Sequence, residues 1–138
     1  MADNAGNQVD VAWQSGITST TSMLESFFLK TEFCDVVFRV GPDGQREDMK
    51  AHRALLAARS PVFAAMFFGS LPEKNIVVEV TDTMPDIFKL MLKYVYSDKT
   101  LHITPNNVIG IYDVAHKYDI VPLKSICAES DRTCISME

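Results

Sequence analysis

The chain has 138 residues, 47% of them apolar, with a formal net charge of −5. That length suits one compact domain, which buries roughly two-thirds of its unfolded surface and needs no metal or disulfide to fold. The acidic balance, without a dense Lys/Arg cluster, argues against nucleic acid as a partner, and no apolar run approaches the roughly 18 residues of a membrane span.

Residues 1–20 are small and polar and read as a flexible arm with Trp13 as its one anchor. They lack the basic and apolar regions of a signal peptide. Ser22 and Glu25 have the S-x-x-E spacing of a capping box, which predicts a helix over about 22–30 with Leu24, Phe27 and Phe28 as its apolar stripe. Asp35–Val40 is rich in β-branched residues and precedes the turn-forming Pro42, Asp43 and Gly44, so a hairpin with a second strand near 47–52 is expected. Ala51–Arg59 reads as a short helix. Ser60-Pro61 opens another, carrying Val62, Phe63, Met66 and Phe67 to a stop at Gly69. Ile76–Val80 is a third strand, and Pro85 opens a helix to about Ser97 that is apolar nearly all round and therefore central. Thr104-Pro105 is expected to cap a helix to about Lys117, and Pro122 to open a last one to about Glu129. The final DRTCISME, residues 131–138, reads as a disordered tail. Strands gather early and helices late, an α+β layout with a small sheet flanked by short helices.

Nothing in the sequence assembles a catalytic site. His52, His102 and His116 are far apart, and no Walker loop, G-x-S-x-G, H-E-x-x-H or G-x-G-x-x-G occurs among only six glycines. The three cysteines, Cys34, Cys127 and Cys134, fit neither a disulfide framework nor a zinc ribbon, and point to the reducing cytosol or nucleus. A Cys34–His52 nucleophile pair is the bare alternative, but a cysteine abutting an apolar strand is usually an inert packing residue. No cofactor and no metal are expected; the chemistry lies in surfaces.

Several strings, in order, resemble the BTB/POZ domain family: Phe33-Cys34-Asp35-Val36-Val37-Phe38; the run from Ala51-His52-Arg53 to Ser60-Pro61-Val62-Phe63; Met66-Phe67; Leu71-Pro72-Glu73; Leu92 through Asp98; and Ala115-His116-Lys117-Tyr118. They cover residues of about 20–130, so the domain is expected over 21–130. Trp13-Gln14 and Tyr96-Ser97-Asp98 look like the subgroup that continues into a BACK domain. The chain ends at Glu138, where such a continuation would begin, so a piece of a longer protein is expected.

The resemblance implies a non-enzymatic interaction module: a homodimerising substrate adaptor for a cullin-3 RING E3 ubiquitin ligase. Its partners would be a second copy, the cullin-3 N-terminal domain and a substrate recruited through a C-terminal region outside this chain. Leu24, Phe27 and Phe28 would carry the dimer face. Asp35 and Arg53 would form an ion pair near it, whose loss on one side costs about 3–5 kcal/mol. Leu71-Pro72-Glu73 matches the family's apolar-x-Glu cullin motif, with Leu71 as knob, Pro72 as loop stiffener and Glu73 as rim contact. Phe68 would line the same groove, completed by His116 and Tyr118. The alternative is a dimerisation and corepressor-binding module of a transcriptional regulator.

Overall fold

A computed structural model describes residues 13–99 and 103–136, with side chains to Ser130. Helix α1 spans Thr20–Ser26, strands β1 and β2 Val36–Val40 and Glu47–Ala51, helices α2 and α3 Arg53–Arg59 and Pro61–Phe68, strand β3 Val77–Val80, and helices α4, α5 and α6 Pro85–Ser97, Val108–Lys117 and Val121–Ser136. The α+β expectation holds.

The three strands make one sheet in the order β2-β1-β3, with β1 antiparallel to β2 and parallel to β3. Central β1 alternates, as a strand with one fully covered face must: Val36, Phe38 and Val40 are wholly buried while Val37 and Arg39 are half-buried. Phe38 is the hub of the core. Its ring centroid lies 5.7 Å from Phe63, 6.2 Å from Phe67 and 5.1 Å from Phe88, so α3 and α4 both pack on the sheet through it. Helix α4 supplies Phe88, Met91, Leu92 and Val95 to this core, in the central place its apolar sequence predicts. The hairpin requires glycine at Gly41, where φ is +123° and a Cβ would sit 2.5 Å from the Gln45 carbonyl oxygen.

Helix ends depart from the expected grammar in three places. The capping box of α1 is built by Ser19 and Ser22, each side chain meeting the other's backbone N–H, so the helix starts at Thr20. Thr104 does not cap α5. It turns back so that its N–H donates to Asn107 Oδ1 at 2.8 Å, and the helix begins at Val108. Helix α6 runs to Ser136, past the expected stop at Glu129 and into the segment read as a tail, because no Gly or Pro interrupts it.

Candidate protein-interaction site

Helix α3 ends at Gly69, where a Cβ would lie 2.5 Å from the Ala65 carbonyl oxygen, so the chain can leave the helix closely packed only as glycine. The loop that follows, residues 69–76, is tied at four points. Glu73 N–H donates to the Met66 carbonyl at 2.7 Å, folding the loop back on α3. Asn75 N–H donates to Glu73 Oε2 at 3.0 Å, and Arg53 Nη2 donates to the Asn75 carbonyl at 2.9 Å. Val37 N–H then takes the Ile76 carbonyl at 2.8 Å, at the start of the β1–β3 pairing.

On this fixed frame stand three large apolar side chains in water: Phe68 is 63% exposed, Leu71 94% and Ile76 65%. Phe68 faces out because Phe67, one residue earlier, is 5% exposed and fills the core, and successive helical residues point about 100° apart. All three fall on one short stretch, Phe68 to Ile76, whose backbone is hydrogen-bonded to its neighbours. Ile76 escaped the sequence reading, which placed it inside β3. Its signal was the polar Lys74-Asn75 just before it.

His116 is also exposed, but it is engaged along α5 and α6. Its ring stacks on Tyr112 with centroids 6.4 Å apart, and Lys124 Nζ lies 3.1 Å from Nδ1. Tyr118 is a correction. It is 2% exposed, its ring stacks on Phe63 with centroids 4.3 Å apart, and its burial raises the phenol pKa. It supports α3 from beneath instead of lining a groove. Spacing could have shown this, since Ile111, Val114, Ala115 and Tyr118 form one i, i+3, i+4, i+7 stripe.

The second correction concerns Asp35 and Arg53. No carboxylate–guanidinium bridge joins them among the described residues. Asp35 Oδ1 instead accepts from the Arg53 backbone N–H at 2.8 Å, one of the donors that the first turn of α2 leaves unpaired. The guanidinium runs the other way, across the Phe67 ring at 5.3 Å, toward Asn75. The cost expected for breaking an ion pair therefore does not apply.

Of the expected dimer residues, Leu24, Phe27 and Phe28 are half-buried. Phe27 centres an aromatic cluster with Trp13 at 6.2 Å, Phe33 at 6.0 Å and His52 at 5.1 Å, and Phe28 packs toward Tyr96 at 6.1 Å. Trp13 thus anchors its segment; the rest of the expected arm, residues 1–12, and His102 lie outside the described residues. Phe33 is 69% exposed at the edge of this cluster. Both ring nitrogens of His52 are occupied, by Tyr96 and the Glu32 carbonyl, which leaves none to activate Cys34.

Comparison with known proteins gives a consistent answer. The model of the BTB/POZ domain matches residues 24–134. The chain is 34% identical over 122 residues to BTB/POZ domain-containing protein 6-A of Danio rerio, covering 88% of this chain and 22% of that protein. It is 36% identical over 106 residues to BTB/POZ and MATH domain-containing protein 3 of Arabidopsis thaliana, covering 68% of this chain and 25% of that one. The chain thus spans about a quarter of the length of such relatives. Among solved structures, the BTB domain of zebrafish PATZ1 superposes with a TM-score of 0.69 at 25% identity, over 83% of this chain and 92% of that one.

Proposed function

The chain belongs to the BTB/POZ domain family, a family of protein–protein interaction modules, and from that premise we propose that it is a homodimerising substrate adaptor for a cullin-3 RING E3 ubiquitin ligase. The observation that carries this reading is Leu71, 94% exposed at the tip of a loop whose backbone is hydrogen-bonded on both sides. An apolar knob held out on a pre-ordered loop loses little entropy on docking and gains its full apolar burial. Phe68, three residues earlier, is also exposed, and aromatic anchors of this kind often dominate interface energy. The module itself catalyses nothing. It raises the effective concentration of a substrate, recruited through a C-terminal region outside this chain, near the ligase, and a dimer adds avidity. The compartment is the cytosol or nucleus.

Calorimetric titration with the cullin-3 N-terminal domain tests the proposal. Leu71→Ala is expected to weaken binding at least tenfold, about 1.4 kcal/mol, while leaving stability within about 0.5 kcal/mol because the side chain packs on nothing. A folded wild type that gives no binding heat sinks the adaptor reading and transfers its weight to a corepressor-binding dimer.

A further inference from the structure

We infer that Arg53 is a positioning residue for the Leu71 loop, and that it sets affinity for the partner through the order of that loop and not through the dimer. The inference rests on the adaptor reading above. Leu71 makes almost no contact of its own, so its place is fixed entirely by the backbone that carries it. That backbone is held from helix α2. Asp35 Oδ1 pins the Arg53 backbone N–H at 2.8 Å, and the side chain then crosses the Phe67 ring at 5.3 Å. Its Nη2 reaches the Asn75 carbonyl at 2.9 Å. The N–H of the same residue holds Glu73 Oε2 at 3.0 Å, and Glu73 N–H closes on Met66 at 2.7 Å. The result is a closed circuit from α2 through the loop to α3, with Leu71 inside the span it encloses.

Without the guanidinium, the Asn75 carbonyl loses its donor, Asn75 is free to rotate, and the Glu73 carboxylate loses the N–H it accepts. The Glu73 of the motif thus acts on the loop's own backbone, downstream of Arg53.

The test compares wild type with Arg53→Met in two arms. The first is hydrogen–deuterium exchange of the free protein. Amides of Glu73 and Asn75 are expected to exchange at least tenfold faster in the variant, with β1 and α4 unchanged. The second is affinity for the cullin-3 N-terminal domain, expected to fall at least fivefold with Leu71 intact, while the self-association constant measured by sedimentation stays within twofold. Unchanged loop exchange overturns the inference, as does a loosened loop with unchanged affinity, or an affinity loss that tracks dimer loss. A wild type that does not bind cullin overturns the adaptor reading instead, and the exchange arm alone then decides the role of Arg53. Should Arg53→Met fail to fold, the Nη resonances of Arg53 in the wild type decide. Slow solvent exchange and hindered rotation are expected of a held guanidinium; fast exchange overturns the inference.

Discussion

Tyr96 and His52 share a hydrogen-bond pair in which only one arrangement of protons satisfies every group. The Glu32 carbonyl can only accept, so His52 Nε2 carries a hydrogen across 2.8 Å. His52 Nδ1 then accepts from the Tyr96 hydroxyl at 2.8 Å, and that oxygen in turn accepts the His52 backbone N–H at 3.0 Å. Burial raises the Tyr96 phenol pKa and keeps its proton in place. Burial likewise pushes the Cys127 thiol from its ordinary 9.0 to about 11. Both groups are acids with raised folded pKa values, so the stabilisation they reflect is complete below the unfolded values and is lost as the pH rises through the folded ones. For Cys127 the window runs from 9.0 to about 11, and its share of the loss is about 3 kcal/mol. Urea unfolding of wild type and Cys127→Ala between pH 8 and 11 checks this. The wild type is expected to lose stability more steeply, and parallel curves would show that the thiol ionises alike in both states.

Helix α3 depends on one hydroxyl. Ser60 Oγ accepts from Phe63 N–H at 3.0 Å as the helix cap and donates to the buried Tyr118 carbonyl at the end of α5. Ser60→Ala is expected to cost about 2 kcal/mol, roughly half from the cap and half from the orphaned carbonyl. A loss below about 0.5 kcal/mol in urea unfolding would mean that water takes over both bonds. This helix was legible in the sequence because Ser-Pro is local chemistry, and Pro85 announced α4 in the same way. The starts of α1 and α5 were not, because Ser19 and Ser22 cap each other at a register three residues early, and Asn107, not Thr104, ends the turn before α5. Among the site residues, Phe68 faces out as helix geometry dictates, since three successive positions cannot all face inward. The partner of Asp35 was hidden, because a carboxylate beside a helix start can choose a backbone N–H that no side-chain pattern advertises.

Among the described residues, another exposed apolar area lies at the end of helix α1. Phe33 and Leu29 both adopt positive φ, +61° and +57°, a strained conformation for bulky residues, and both are exposed beside the Phe27 cluster. BTB domains generally dimerise, and a symmetric partner would cover such a surface. Phe33→Ser is expected to weaken self-association at least tenfold in sedimentation equilibrium, with the chain still folded and its thermal midpoint lower, since a dimer partner stabilises the folded state by mass action. An unchanged association constant would exclude Phe33 from the dimer face.

The near-total exposure of Leu71 also bears on how such a protein can change over generations. A side chain that packs on nothing can be replaced without lowering the amount of folded protein in the cell. On the adaptor reading proposed above, selection at that codon sees partner choice alone. Arg53 has no such freedom, since its side chain serves the fold and the loop together. A lineage can thus gain, retune or abandon a partner by single substitutions at the tip, while the frame that presents it is held fixed by the need to fold.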